Sequence, residues 1–337
     1  MKKFMNTAET MVAESVEGFV RAHEALVVFG AERKCIRRRQ LTSGKVALIS
    51  GGGAGHEPMH IGFVGQGMLD AACVGHIFTS PTPSQIIAAI EEADTGAGCL
   101  LVVKNYDGDL MNFEMAIEMA GDRHSLDMIV VSDDIETSRT GEGRGRRGVA
   151  GTLIVEKILG AAAERGMPLA ELKQLGEGLN TRIRSMGVAL NGVTVPQTER
   201  TTFSLGPDEM EMGVGIHGEP GHARQPFAAA DAIIGHLCET IIADIAVTPG
   251  TRALLFVNGL GGTPPAELYL AYNGARRFIE QSGIPIERSL VGTYVTSLDM
   301  QGLSVTLALL TDEEISLWDA PVATAALYWP MAIQRPS

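Results

Sequence analysis

Short apolar, β-branched runs alternate with longer runs of helical period through the first half of the chain. "KVALIS" (45–50), "CLLVVK" (99–104) and "DMIVVSDD" (127–134) are bounded by Gly, Asp or Asn. Runs of this kind predict strands covered on both faces, as in a parallel sheet. Between them, "SPTPSQIIAAIEEADT" (80–95) predicts a helix entered through a Ser/Thr cap region, with proline in its first turn. "LMNFEMAIEMAGD" (110–122) and "GVAGTLIVEKILGAAAERG" (148–166) predict two more helices, the second stopped by glycine. This alternation predicts an α/β domain.

The second half repeats the theme. "SMGVAL" (185–190), "EMGVGI" (211–216) and "RALLFVN" (252–258) predict strands. "FAAADAIIGHLCETIIADI" (227–245) and "PPAELYLAYNGARRFIEQSG" (264–283) predict helices. "RSLVGTYVTS" and "GLSVTLALLT" predict an adjacent strand pair joined through "LDMQG". The stretch 166–184 separates the two α/β runs. The expectation is two α/β domains with largely parallel or mixed sheets, 1–183 and 184–337, the C-terminal segment being a candidate to return to the first domain.

Composition narrows the function classes. With Lys+Arg at 27 against Asp+Glu at 40, the chain of 337 residues carries a formal charge of −13. That disfavours nonspecific nucleic-acid binding, which depends on basic side chains neutralising phosphate. A phosphorylated ligand in a locally basic pocket stays compatible. The 40 glycines show no collagen-like period. Cys35, Cys73, Cys99 and Cys238 form no CxxC pair, and Cys73 and Cys99 sit in apolar contexts typical of buried free thiols. No run reaches the roughly 18 apolar residues of a membrane span, and the N-terminal stretch lacks a signal-peptide core, so a cytoplasmic protein is expected.

Candidate chemistry sits at strand ends. "ISGGGAGHEPMH" follows the first strand; its glycine triplet would permit positive φ and expose backbone N–H groups to a ligand. It is neither GxGxxG in register nor a P-loop, which disfavours a dinucleotide site. A tight turn with His56 as a structural cap is the alternative. "VVKNYDGDLMNF" places Lys104 and Asp109 across a second strand end, where the lysine could bind an oxygen-rich ligand and the carboxylate take a proton. The competing reading is an ordinary strand-to-helix loop with Asp109 facing the helix dipole. "CVGHIFTSPTPSQ", with His76 and Ser80, reads as a wall of the same pocket, its Ser/Thr cluster explained by capping. "GRGRRGVAGT" offers Arg144, Arg146 and Arg147 before a helix, fit for phosphate or for a solvated interface loop. His56/His60 and His217/His222 invite a metal reading, but Pro58 breaks the helix that HExxH requires, so no metal is expected.

"KVALISGGGAGHEPMHIGFVGQGMLDAA", "FTSPTP", "KNYDGDLMNF", "RRGVAGT", "MEMGVGIHGEPG", "TSLDMQGLSVTL" and "LWDAP" together resemble the dihydroxyacetone kinase family, and within it the substrate-binding DhaK-type subunit. The resemblance spans nearly the whole chain in one order. It implies that His217, in "GIHGEPG", adds through a ring nitrogen to a substrate ketone and forms a hemiaminal. It implies that Asp109 is the general base on the substrate hydroxyl and that His56 bonds the substrate and assists proton transfer. Gly53, Ala54, Gly55, His56 and Lys104 line the sugar site by the same implication. Covalency suits a three-carbon ligand, which has few atoms from which to draw affinity. Ala54 stands where serine is common, so a hydroxyl contact would be lost and a backbone contact kept. Asp107 adds a second carboxylate, which would favour base behaviour nearer neutrality if it lay close to Asp109.

No further helical nucleotide module follows "LWDAP". The resemblance therefore implies no cofactor in this chain, with Mg-ATP or Mg-ADP carried by a DhaL-type partner that is recharged by a phosphoenolpyruvate phosphotransferase relay or exchanges ATP. It also implies a homodimer. Two alternatives stay open at this point: a kinase subunit for another short ketose such as erythrulose, and a non-catalytic, ligand-sensing paralogue.

Overall fold

A computed structural model of the chain describes residues 2–136, 145–219, 221, 223–248 and 250–329. The chain divides into two compact units. The first comprises the described parts of Met1–Val130, Ile154–Gly178 and Ser316–Ser337; the second comprises those of Val131–Leu153 and Leu179–Ile315. The segments interleave across the expected 183/184 boundary, with the described C-terminal segment from Ser316 grouped in the first unit and Val131–Leu153 in the second. Helix pattern and strand pattern are local signals, and neither reports which core an element joins.

The first unit is built on a six-stranded sheet. Its strands are β1 (Val27–Phe29), β2 (Ile36–Arg38), β3 (Ala47–Ala54), β4 (Ala71–Ile77), β5 (Cys99–Lys104) and β6 (Leu126–Val131), in the order β1-β2-β4-β3-β5-β6. β4, β3 and β5 run parallel, and β1 and β2 close one side with antiparallel pairs. Helices α1 (Met11–Ala22), α2 (Pro83–Ala93) and α3 (Asp107–Ala120) belong to this unit. Period-2 alternation sorts the strands' side chains. Ala47, Ile49, Cys99, Leu101 and Val103 share one buried cluster with Ile86, Ala89 and Ile90 of α2 and Phe113 of α3. Leu48, Ser50, Leu100, Val102 and Lys104 therefore point to the other face, and all five are buried.

Gly51, Gly52 and Gly53 are part of β3, so the strand runs four residues past its apolar stretch. None of the three has positive φ; the left-handed glycine of this motif is Gly55, at φ +102°. The triplet serves close packing instead. A Cβ on Gly51 would lie 2.9 Å from the Cys73 carbonyl oxygen, and one on Gly53 would lie 2.5 Å from the Thr79 nitrogen. The positive-φ nest expected of these residues is therefore corrected to an extended strand flanked by neighbours too near for a side chain.

Helix α4 (Gly151–Glu164) is buried on every side up to Ala163. Helix α5 (Leu169–Asn180) follows it, within the stretch read as a boundary.

The second unit carries another six-stranded sheet. β7 (Ile183–Ala189), β10 (Glu209–Met212), β11 (Ala223–Pro226), β12 (Arg252–Gly259), β13 (Ile286–Gly292) and β14 (Gly302–Leu310) take the order β11-β10-β7-β14-β12-β13. A small hairpin, β8 (Thr194–Val195) with β9 (Arg200–Thr201), stands apart. Only the β12–β13 pair is parallel. Helices α6 (Ala230–Asp244) and α7 (Pro265–Gln281) bury Ile233, Leu237, Ile241, Leu268 and Ile279 against Leu255, Val257, Val305 and Leu307 of the sheet.

β13 and β14 are not neighbours, contrary to the strand-pair expectation. β12 lies between them and pairs with β14 along its whole length, from Arg252↔Leu310 to Gly259↔Leu303. The connection after β12 is a helical crossover, and such a crossover returns the chain parallel to the strand it left.

Candidate active site

The first-unit sheet reverses direction at β3: the chain goes to one side for β4 and to the other for β5 and β6. Ligands in open α/β sheets bind outside the carboxyl ends of strands at such a reversal. His56 follows β3, Phe78 follows β4, Lys104 ends β5, and Asp109 sits in the first turn of α3. Their common edge is set by the parallel register, with Ser50 opposite Val102.

Lys104 is fully buried, and its Nζ donates to Asp109 Oδ2 at 3.0 Å and to the Gly51 carbonyl at 3.4 Å. A buried charge needs such partners, because desolvation otherwise disfavours the ion strongly. Asp109 is buried as well, while Asp107 is exposed. The two carboxylates thus meet different surroundings, and the lysine is the charge beside Asp109.

His56 is fully buried and stacks on Phe78, with ring centroids 5.3 Å apart. The Ala54 carbonyl accepts from the Phe78 N–H at 2.9 Å, a backbone contact that a missing hydroxyl does not disturb. Gly55 donates to Glu57 Oε2 at 3.0 Å. His76 is exposed on β4. Thr82 and Gln85 close the expected cap, the Thr82 N–H donating to Gln85 Oε1 at 2.9 Å.

Two side chains that the sequence motifs did not assign to this pocket complete this edge. His60 Nδ1 lies 2.7 Å from Glu156 Oε1 and 3.0 Å from Ser50 Oγ, and His60 Nε2 lies 3.3 Å from Lys104 Nζ. His60 was weighed only as a metal ligand; among the described residues no His/Cys/Asp/Glu group could hold a metal ion. Glu156 had a signal that went unread: "TLIVEKILGAAA" is a helix with no polar face, and a charge in such a helix needs a buried partner.

His217 belongs to the second unit, in the loop after β10. Gly213 and Gly218 on either side have φ of +76° and +74°. Glu219 holds the histidine twice, accepting from its backbone N–H at 2.8 Å and from Nδ1 at 3.2 Å. Burial on its own would raise the Glu219 carboxyl, but the bond from His217 and the nearby charges of His217 and Arg147 bring it down to about 2. An ionised carboxylate only accepts, so Nδ1 carries a proton, and whenever the ring is neutral its lone pair is on Nε2.

The two described arginines of the 143–152 loop are engaged structurally. Arg147 Nε donates to Asp134 Oδ2 at 2.7 Å and its Nη2 to the Gly213 carbonyl at 2.8 Å, bracing the His217 loop. Arg146 pairs with Asp244 at 2.8 Å. Arg144 and His222 lie outside the described residues. Cys35, Cys73, Cys99 and Cys238 are all free and buried, and burial pushes each thiol up. Among the described residues no helix is long and apolar enough to cross a membrane.

A buried lysine–carboxylate pair at parallel strand ends and a histidine fixed in one tautomer are features of an α/β protein equipped for acid–base chemistry. Residues 17–326 match the Dak1 domain model, and the chain belongs to that family. It is 46% identical to the dihydroxyacetone-binding subunit DhaK of the PTS-dependent dihydroxyacetone kinase 1 of Listeria innocua, over 97% of this chain and all of that protein. It is 42% identical to the DhaK subunit of the PEP-dependent dihydroxyacetone kinase of Escherichia coli, over 98% of this chain and 99% of that one. Among solved structures it superposes on the dihydroxyacetone kinase operon co-activator Dha-DhaQ with a TM-score of 0.90 at 34% identity, covering 95% of this chain and 98% of that one. The dihydroxyacetone kinase of C. freundii in complex with AMP-PNP and Mg2+ gives a TM-score of 0.89 at 33% identity, this chain being wholly covered and that one to 62%. The resemblance and the α/β fold expected from the motifs are borne out.

Proposed function

We propose that this chain is the substrate-binding subunit of a kinase for dihydroxyacetone or a closely similar short ketose. The observation that carries the reading is the tautomer imposed on His217 by Glu219. A neutral imidazole with its lone pair on Nε2 is a nucleophile for a ketone carbon. In the addition the Nε2–C bond forms and the carbonyl π pair moves to oxygen. That oxygen takes up a proton while the ring gives up its N–H proton, so the product is a neutral hemiaminal. Glycerol has no carbonyl and makes no such bond, which gives selectivity without a large contact surface.

Asp109 takes the proton of the hydroxyl that attacks the phosphorus. Lys104 holds that carboxylate in place, and His56, stacked on Phe78, bonds the sugar. Phosphoryl transfer depends chiefly on positioning and electrostatics, so a carboxylate fixed by an ammonium suits it. The nucleotide with its magnesium belongs to a separate DhaL-type subunit in this reading. Support comes from the identity to DhaK subunits of PTS- and PEP-dependent kinases over the full length of each.

A second reading, a ligand-sensing protein without catalysis, is favoured by the TM-score of 0.90 to a co-activator. Such a protein would keep ketose capture and have no use for Asp109. The test is phosphorylation of dihydroxyacetone in the presence of a DhaL-type subunit and its phosphoryl donor, wild type against Asp109→Ala. Turnover in the wild type and none in the variant supports the kinase; capture without turnover in both supports the sensor.

A further inference from the structure

Helix α4 places two consecutive charges, Glu156 and Lys157, in an apolar run, and both are fully buried. Lys157 serves the fold, its Nζ donating to the Leu317 carbonyl at 2.9 Å. Glu156 has a different neighbourhood. Its Oε1 bonds His60 Nδ1, and its Oε2 is a buried oxygen with no hydrogen-bond partner among the described residues. A carboxylate half-satisfied in a dry interior is costly, and a purely structural pair is easily replaced by apolar packing.

The proton positions along the chain of contacts follow from chemistry. An ammonium has three donors and no acceptor, and Lys104 Nζ is within reach of Asp109 Oδ2, the Gly51 carbonyl and His60 Nε2. His60 Nε2 must then accept, which leaves the proton on Nδ1. Ser50 Oγ donates to the Val102 carbonyl at 2.7 Å, so toward His60 it offers a lone pair. Nδ1–H is therefore shared between Ser50 Oγ and Glu156 Oε1. Burial keeps the His60 ring below its ordinary value against the pull of Glu156, which agrees with a neutral ring. The charged groups facing His60 are Glu156 from α4, Lys104 from β5 and Asp109 from α3. Gly52 keeps the contact open: a Cβ there would lie 2.5 Å from Lys104 Nζ and 3.3 Å from His60 Nε2.

We infer that Glu156 and His60 are positioning residues for the phosphoryl-transfer step. Together they fix the tautomer that receives one N–H of Lys104, and so hold the ammonium and the Asp109 carboxylate in the orientation the base needs. The inference rests on the kinase reading given above. It assigns this pair no contact with substrate.

The test has two arms. The first needs no partner subunit: nitrogen-15 NMR of the imidazoles in the full chain should show His60 neutral and protonated on Nδ1 across neutral pH, and a ring protonated on Nε2 overturns the inference. The second uses the kinase reconstituted with a DhaL-type subunit. In E156Q, an isosteric change, kcat should fall about tenfold to a hundredfold, the range a small misplacement of a catalytic group produces, with KM for dihydroxyacetone unchanged. The acidic limb of its pH–rate profile should move to lower pH, because a negative charge has left the surroundings of Asp109. H60Q, which can accept from Lys104 and donate to Glu156, should recover much of the activity that H60L loses. Wild-type kcat and pH profile in E156Q and H60L, with only thermal stability reduced, would reduce the pair to a structural one. Absence of turnover in the wild type itself would instead sink the kinase reading, while the tautomer measurement would still decide whether the relay exists.

Discussion

The Cα of Gly52 faces the Nζ of Lys104 so closely that one added methyl would occupy the ammonium's place, 2.5 Å from its nitrogen. The neighbouring Gly53 faces backbone instead, the Thr79 nitrogen at 2.5 Å and Phe78 at 2.8 Å. Two adjacent Gly→Ala changes therefore strike different neighbours, one the catalytic ammonium and the other only backbone. Gly52→Ala should push the buried Lys104 ammonium off Asp109, so turnover falls at least tenfold, of the order expected when a catalytic group is displaced, and Tm falls with it because the ion pair is buried. Gly53→Ala has no flexible neighbour to move and should cost about 1–3 kcal/mol of stability, as overpacking does. Thermal melts and steady-state kinetics on the two variants check both halves.

Capture of the ketone depends on His217 and on the group that fixes its tautomer. His217→Ala should abolish the dihydroxyacetone adduct seen by native intact-mass spectrometry. Glu219→Gln offers an amide that can accept or donate, so the tautomer is no longer imposed and adduct yield should drop several-fold. Because the Glu219 carboxyl is held near 2, well below its ordinary 4.5, wild-type capture should not weaken as pH falls from 7 to 5 on account of this residue. An adduct of full yield on His217→Ala would show that the nucleophile lies elsewhere.

Arg147 ties Asp134 to the His217 loop. Burial pushes the Asp134 carboxyl up to about 6 even though Arg147 and the Glu136 N–H pull it down. A raised carboxyl stabilises the fold at low pH and loses that contribution as pH rises through about 6. Removing the arginine raises it further and leaves a buried, unpaired charge. Arg147→Ala should cost about 3 kcal/mol or more at pH 8, and clearly less at pH 5, where Asp134 takes up its proton. Denaturant melts of both proteins at the two pH values measure the difference.

Lys157 gives the opposite window. Burial brings its amine down to about 7 from an ordinary 10.5, against the pull of Asp319. Between those values the unfolded chain holds a proton that the folded chain has released, so stability rises with pH across the interval. Lys157→Met removes that dependence. The gap in stability between wild type and variant should shift in favour of the wild type from pH 7 to pH 10, and parallel curves would contradict the assignment.

Elements with a strong local pattern were legible in the sequence. Cys99–Lys104 begins and ends where its apolar run does, and Pro265–Gln281 starts at its prolines. The glycine triplet was not legible, because a sequence shows that glycine is needed without showing whether φ or a close neighbour needs it. β13 and β14 look like a pair on the chain; the partner that separates them, β12, is set by long-range packing. Of the site, Lys104 and Asp109 stand five residues apart and announce each other. Glu156 lies far along the chain from His60, and only the absence of a polar face on its helix hinted that a partner existed.

The glycines near the first strands also bear on the order of assembly. Gly65 and Gly67 are packed directly under the backbone of Pro321, Ala323 and Thr324, and Ala323 bridges to Gln66. These contacts join a segment made early in synthesis to one made late. Domains commonly fold as units while the chain emerges, amino-terminal first. Here the described contacts of the first unit are complete only once residues 321–324 have been made, whereas the described segments of the second unit end at Ile315, so amino-terminal-first assembly is not the order in which the two sets of contacts become available.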